Sequence, residues 1–166
     1  MSVIELRQYT LHPGGRDVLV KLFQDHLIAG QQAVGMTILG VYENLDDPDQ
    51  FVWLRSFPDM AARKQALIDF YVQSAVWRDH SAAANTTMID SDNVLLLRPV
   101  GPFQLPATPH VVATIQDTRP ARTSYLETEP AENDFPRLPV RTDVPKYVWF
   151  TDDIEQQGTL RLSALL

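Results

Sequence analysis

The hydrophobic pattern of the first hundred residues predicts four strands and two helices. Strand-like stretches alternate apolar and polar residues, whereas helical stretches place apolar residues three and four positions apart. Asp59 and Ser74 are each placed to cap a helical piece through the side-chain oxygen. The predicted elements are a strand at 3–11, a helix at 16–28, strands at 36–45 and 51–57, helical pieces at 60–71 and 75–87, and a strand at 94–98.

The order β-α-β-β-α-β is that of a ferredoxin-like unit, in which both helices cover one face of a four-stranded antiparallel sheet. The first and third strands each have one aliphatic face and one face that mixes aromatic and charged residues. We expect the helices to cover the aliphatic faces. The mixed faces, which carry Arg7, Tyr9, Trp53 and Arg55, then remain outside the helical layer.

A mixed face of this kind is too apolar to meet water alone, and packing two such sheets face to face is the usual solution. We therefore predict an α+β fold of ferredoxin-like units forming a dimeric α/β barrel, or a tandem barrel within one chain. Arg7, Tyr9, Trp53 and Arg55 are the interface candidates, because aromatics and arginine are enriched at interfaces. The alternative is a pocket in which the arginines hold an acidic ligand.

The second half of the chain is interrupted by proline, since nine of the twelve prolines lie between Pro99 and Pro145. Tyr147-Val148-Trp149-Phe150 repeats the pattern of Phe51-Val52-Trp53-Leu54 and also precedes acidic residues. We interpret 1–100 as a ferredoxin-like domain and 101–166 as a linker and a truncated second copy, without the first helix and the fourth strand. Its elements are a linker at 101–109, strands at 110–116, 123–128 and 146–151, and a weak helix or tail at 153–166.

The predicted ligand pocket lies between the helices and the sheet. His26 and His80 fall on the apolar stripes of the two helices, so they are predicted to converge with Trp77 and Tyr71. Imidazole titrates near neutral pH and can act as a base or a ligand. The alternative is that each histidine is structural, with a single hydrogen-bond partner.

Composition narrows the function classes. The net charge of −7 disfavours binding to nucleic acid. The absence of cysteine excludes disulfides and thiolate metal sites, and it fits a cytoplasmic protein. No apolar run reaches the roughly 20 residues of a membrane helix, and no signal peptide is indicated.

Motifs for metal, cofactor or nucleophilic chemistry are missing from the sequence. Asp46-Asp47-Pro48-Asp49 lacks the ligand spacing and the glycine of a calcium loop, so we interpret it as a solvated turn. The chain contains no GxSxG, Walker or GxGxxG pattern. We therefore predict neither a metal nor a cofactor.

Four blocks of residues 3–99 carry a family resemblance. They are ELRQYTLHPG, FVWLRSFPDMAAR, VWRDHSAAANTTM and DSDNVLLLRP. In these blocks and their order the chain resembles the NIPSNAP family, and ENDFPRLPVR and KYVWF look like the degenerate second repeat of two-copy bacterial members. The resemblance implies a dimeric α+β barrel of ferredoxin-like units.

Two functions follow as hypotheses. The first is a NIPSNAP-like homo-oligomer, either a structural protein or one that binds a small molecule. The second, by analogy of fold alone, is a cofactor-free or haem-dependent monooxygenase-like enzyme. In that enzyme His80 would act as base or axial ligand, and Trp77 would line the pocket.

Overall fold

The structure, a computed structural model, describes residues 2–166. Within these residues the chain forms eight strands and two helical layers. The four strands and both helical layers of the first half follow the predicted order. Each helical layer contains one π-helical turn, named π1 and π2. The elements are β1 (Val3–Leu11), α1 (Gly15–Leu22), π1 (Phe23–Leu27), α2 (Ile28–Gln32), β2 (Thr37–Asn44), β3 (Asp47–Phe57), α3 (Met60–Leu67), π2 (Ile68–Val72), α4 (Ala75–Thr86), β4 (Met88–Val100), β5 (His110–Gln116), β6 (Tyr125–Thr128), β7 (Tyr147–Thr151) and β8 (Leu160–Ala164).

The strands form one closed antiparallel barrel in the order β1-β3-β2-β8-β5-β7-β6-β4. Its first four strands pair as β4-β1-β3-β2, which with the two helical layers gives the ferredoxin-like arrangement predicted from the sequence. The barrel closes within a single chain, because β2 pairs with β8 and β4 pairs with β6. In the predicted dimeric arrangement a second chain would complete the barrel. Here the second half of the same chain completes it.

The second half contributes more strand and less helix than predicted. Its four strands pair as β8-β5-β7-β6, the same relative order as β4-β1-β3-β2. A fourth strand is present, so the predicted helix or tail at 153–166 is wrong from Leu160 onward. Residues 101–166 contain no helix, and loops stand at both positions where the first half has its helical layers.

The predicted orientation of the sheet faces is wrong. The aliphatic face of β1 and β3, with Leu6 and Leu54, points into the barrel and packs against the second half. The mixed face, with Tyr9 and Trp53, lies under the helices and packs against Phe23 and the other apolar helical residues. Closure explains the inversion, because the pairing of β2 with β8 and of β4 with β6 encloses the inward face between the two halves and leaves the outward face to the helices.

Both predicted caps are confirmed, and they fix where the second helical layer starts. The Asp59 carboxylate accepts from the amide of Ala62 at 2.7 Å, and the Ser74 hydroxyl accepts from the amide of Trp77 at 3.0 Å. Gly35, with φ +93°, follows the end of the first layer. These boundaries place α3, π2 and α4 across the mixed face of the sheet.

Candidate functional site

The carboxylate of Glu5 is the centre of a buried ionic cluster on the mixed face. It is fully buried on β1. Oε1 accepts from Arg7 at 2.6 Å and from Arg55 at 2.7 Å, and Oε2 accepts from Arg63 at 2.8 Å. Arg55 lies directly opposite Glu5 across the β1–β3 ladder, whereas Arg63 comes from α3 above the sheet. One carboxylate thus ties two strands to one helix.

The three arginines keep Glu5 ionised. Burial alone would raise the pKa of this carboxyl group, but the positive charges of Arg55, Arg7 and Arg63 lower the pKa far below its ordinary value of 4.5. Arg7 also stays charged, because Tyr9 and Glu5 raise its pKa against the opposing effect of burial. Glu5 and Arg7 are therefore both ionised at neutral pH.

Two tyrosines and a glutamine also accept hydrogen bonds from Arg7 and Arg55. Arg7 Nε donates to the Tyr9 hydroxyl at 2.8 Å. Arg55 Nη1 donates to the Tyr71 hydroxyl at 2.9 Å and to Gln31 Oε1 at 2.7 Å. Burial raises the pKa of Tyr9, so its phenol stays neutral at physiological pH. Residues of both helical layers thus contribute to the cluster.

A small cavity adjoins the cluster between the helices and the sheet. Its volume is about 20 Å³, which is room for about one water molecule. Trp53 is 2 % exposed, and its indole Nε1 has no hydrogen-bond partner within residues 2–166. The cavity is lined by Tyr9, Phe23, Leu27, Gln31, Trp53, Phe70, Tyr71, Trp77, Ala84 and Met88.

Both π-helical turns flank this cavity. Phe23 and Leu27 come from π1, and Phe70 and Tyr71 come from π2. A π-turn inserts one extra residue into a helix and occurs frequently at functional sites. Here the two turns bring large side chains from both helical layers onto the same space above Trp53.

A loop from the second half, residues 129–144, covers one side of the cluster, and we name it the strap. Phe135 is buried in the same apolar cluster as Trp53, and its ring centroid lies 6.5 Å from that of Tyr71. Asn133 Oδ1 accepts from Arg63 Nη1 at 3.1 Å, and Asp134 lies 3.6 Å from the same nitrogen. The strap therefore closes over the helical layer at Arg63.

The predicted site residues divide into two groups. Tyr71 and Trp77 line the cavity, as the sequence predicted. His26 and His80 do converge, with ring centroids 3.8 Å apart and nearly parallel, but they do not line the cavity. Both rings are half-buried, between π1 and α4. Face-to-face stacking points the ring nitrogens away from a common ligand atom.

The interface assignment of Arg7, Tyr9, Trp53 and Arg55 is wrong. None of the four is more than 4 % exposed, because the chain's own helices cover them. The alternative, a pocket in which the arginines hold an acidic ligand, stays a prediction. The interface candidates and the pocket candidates Tyr71 and Trp77 thus belong to one site.

Sequence reasoning missed four contributors to this site. Glu5 and Arg7 alternate on β1 as Trp53 and Arg55 do on β3, so the pairing of a carboxylate with these arginines was available from the strand pattern. Three others carried no local signal, because helix packing and the strap alone bring them to the cluster. They are Gln31, Arg63 and Phe135.

The described residues contain neither a group of potential metal ligands nor a membrane-spanning helix. Among residues 2–166, no three His, Asp or Glu side chains are grouped so that they could hold a metal ion. No helix in the same range is long and apolar enough to cross a membrane.

Comparison with known proteins identifies the family. Residues 4–102, more than half of the chain, match the NIPSNAP family. The chain belongs to the NIPSNAP family. Comparison with curated proteins gave no match. The family match covers the ferredoxin-like half and the residues of the ionic cluster, apart from the strap.

Solved structures of NIPSNAP proteins share this fold. A NIPSNAP family protein from Agrobacterium tumefaciens str. C58 is 17 % identical, with a TM-score of 0.56, over 65 % of this chain and 100 % of its own. A NIPSNAP-like domain protein from Burkholderia xenovorans is 18 % identical, with a TM-score of 0.52, over 65 % and 89 %. Both likenesses cover about two thirds of the present chain.

One further structure matches nearly the whole chain. A protein from Lactobacillus acidophilus NCFM, provisionally named a monooxygenase, is 10 % identical, with a TM-score of 0.58, over 98 % of this chain and 76 % of its own. At this identity the likeness concerns the fold alone.

Proposed function

We propose that this NIPSNAP-family chain binds a compact small molecule in the cavity between its helices and the mixed face of β1 and β3. The observation that carries the proposal is the unpartnered indole Nε1 of Trp53, which is buried at the wall of that cavity. A buried N–H without an acceptor costs about 1–3 kcal/mol, and a bound acceptor removes that cost.

Access to the cavity requires movement. A volume of about 20 Å³ holds one small group, so a larger ligand enters only when the covering side chains shift. The strap is the natural point of entry, because Phe135 comes from a loop and packs on Tyr71 rather than on the barrel interior. Loops open at lower free-energy cost than core strands.

Small-molecule binding is favoured over a monooxygenase-like reaction, because His26 and His80 do not line the cavity. The enzyme hypothesis assigned His80 as base or axial ligand, but its ring stacks on His26 and does not line the cavity. Among the described residues, the cavity is lined by aromatic rings, two phenol hydroxyl groups, one amide and the apolar side chains of Leu27, Ala84 and Met88. These groups suit recognition of a ligand, and no histidine or carboxylate is among them.

A cavity-filling variant tests the location of the site. Ala84 is fully buried on α4 and lines the cavity, so Ala84→Val reduces the space without touching a polar group. Ala82→Val, at an exposed position of the same helix, is the matched control. Compact compounds found by thermal shift on the wild-type protein are expected to bind at least about tenfold more weakly to Ala84→Val and equally well to Ala82→Val.

The opposite result would place the site elsewhere. If the compounds bound both variants as tightly as the wild-type protein, the cavity would not be their site. If no compact compound raised the unfolding temperature of the wild-type protein, the binding function itself would fail.

We also propose that 101–166 is a degenerate second copy of the ferredoxin-like domain at 1–100. The shared relative strand order of the two halves supports this. Homo-oligomerisation and a cytoplasmic location remain predictions. Light scattering of the intact chain tests the first, and the single-chain barrel implies that any oligomer forms through the outer surface rather than through strand pairing.

A further inference from the structure

We propose that the group received by the cavity is an anion, namely the carboxylate of a small organic acid. This inference rests on the proposed binding function and specifies its ligand. It is carried by an excess of buried positive charge next to the cavity, by buried donors that lack acceptors, and by the small size of the cavity.

Positive charge exceeds negative charge in the buried cluster. Within residues 2–166, Glu5 is the only buried acid, whereas Arg7, Arg55 and Arg63 are all buried. Asp134 offsets part of the excess at Arg63, but its side chain is 36 % exposed and its nearest oxygen is 3.6 Å away. Uncompensated buried charge is costly, so an anion at this place is favoured electrostatically.

The phenol groups do not supply the missing negative charge. Burial raises the pKa of Tyr9, so this side chain stays neutral at physiological pH. Its oxygen, like that of Tyr71, already accepts a hydrogen bond from an arginine. Each hydroxyl therefore offers its hydrogen as a donor, which adds to the demand for an acceptor.

Buried N–H donors without acceptors are concentrated between the helices and the mixed face of the sheet. In the part of the chain that the structure describes, the buried side-chain nitrogens and oxygens without a partner are Trp53 Nε1, Arg55 Nη2 and Arg63 Nη2, and all three belong to this layer. Arg55 Cζ lies 5.0 Å from the centre of the Trp53 ring, so the indole and that guanidinium are neighbours. Of these three residues, Trp53 lines the cavity, and the Arg55 guanidinium lies beside its ring. An acceptor-only group such as a carboxylate would therefore meet an unpartnered donor and a nearby positive charge there.

The size of the cavity limits the anion. About 20 Å³ accommodates a single oxygen-sized group rather than a tetrahedral phosphate. A carboxylate can place one oxygen in this space with its substituent directed along the aromatic wall formed by Tyr71 and Trp77. The remaining part of the acid would then replace Phe135 of the strap.

The test uses the wild-type protein and a matched pair of probes. Sodium formate and formamide have nearly the same shape, but only formate carries a charge. Each is titrated at pH 7 and constant ionic strength, with sodium sulfate as the balancing salt because its tetrahedral anion is too large for the cavity. Nitrogen-15 NMR follows the indole N–H signals of the three tryptophans. Formate is expected to shift the Trp53 signal saturably, with an affinity at least about tenfold above that of formamide.

Two variants assign the signals and test the donor. Trp53→Phe keeps an aromatic ring but removes the unpartnered N–H, and it is expected to weaken formate binding about tenfold. Trp149→Phe, on β7, is the control and is expected to bind formate like the wild-type protein. If Trp53→Phe does not fold, sequential assignment of the wild-type NMR spectrum identifies the Trp53 indole signal, and its shift decides the question.

The outcomes separate the anion from the cavity. Equal affinity for formate and formamide at Trp53 would overturn the carboxylate assignment and leave the binding cavity standing. Saturable binding that shifts only the Trp149 signal, or no saturable shift with either probe, would also overturn it. After any of these three outcomes, neutral compounds that bind the wild-type protein but not Ala84→Val would still support the proposed function.

Discussion

The outer faces of the two halves of the barrel contain similar residues in different surroundings. On the first half, Arg55 lies 5.0 Å from the ring of Trp53 and both are buried under helices. On the second half, Arg122 lies 5.5 Å from the ring of Trp149, with no helix above them and the arginine exposed. The same arginine–tryptophan pair is thus desolvated in one half and in contact with water in the other.

This difference shows what the helical layers add. Charge interactions strengthen as water is excluded, so the covered face can hold an ionic cluster with strong electrostatic effects. On the uncovered face the corresponding contacts are weakened by solvent. Helices α1–α4 and the strap therefore turn one sheet face into a candidate site, whereas the other face remains an ordinary surface.

The largest expected effect comes from neutralising the centre of the cluster. Glu5→Gln leaves three arginines without their carboxylate and is expected to cost about 3–5 kcal/mol of unfolding free energy. Glu127→Gln is the matched change on the second half, where the pair with Arg98 is partly exposed, and about 1 kcal/mol or less is expected. Urea denaturation measures the loss of unfolding free energy in each variant. Equal losses in Glu5→Gln and Glu127→Gln would contradict the predicted difference between the two faces.

The barrel interior is expected to show no such contrast between the halves. Leu6 of β1 and Leu126 of β6 are both fully buried in the same apolar cluster. Leu6→Ala and Leu126→Ala are each expected to lower the unfolding free energy by about 2–5 kcal/mol. A loss below about 1 kcal/mol for Leu126→Ala alone would mean that the second half is not part of the common core.

The covered face is expected to make the stability of the protein sensitive to acid, because Glu5 lies there. The pKa of Glu5 lies far below 4.5 in the folded protein, so its stabilisation is complete above the unfolded pKa and is lost as the pH falls below it. This one group is expected to contribute a slope of about 1.4 kcal/mol per pH unit between about pH 4 and 2. Urea midpoints measured over that range should fall more steeply for the wild-type protein than for Glu5→Gln, and parallel curves would contradict the assignment.

The smallest effect is expected on the uncovered face. Arg122→Met removes an exposed cation–π contact with Trp149 and is expected to change the unfolding free energy by about 0.5 kcal/mol or less. A cost of several kcal/mol in urea denaturation would show that this face is as strongly stabilised as the covered one.

Alternation and helix capping made the first half readable from sequence. The strand patterns, together with the caps at Asp59 and Ser74, located the elements to within a few residues, except that β3 and β4 are longer than predicted. The second half was less readable, because its last strand, β8, has only five residues and follows a loop. Local patterns mark an element reliably only when the element is long enough to show its period.

The candidate site was only partly predictable. Tyr71 and Trp77 were assigned to the pocket because aromatic residues at helical spacing identify a covered face. Arg7 and Arg55 were assigned to the wrong environment, since alternation tells which residues share a face but not which face the helices cover. His26 and His80 stack on each other but are not among the residues that line the cavity.

The sequence by itself determined the family, the ferredoxin-like order of the first half and the grouping of Arg7, Tyr9, Trp53 and Arg55 on one face. Tertiary structure alone decided that this face lies under the helices. The reason is long-range: the pairing of β2 with β8 and of β4 with β6 closes the barrel, and closure encloses the aliphatic faces between the two halves. The charged and aromatic faces are left to the helices, where one carboxylate faces three arginines.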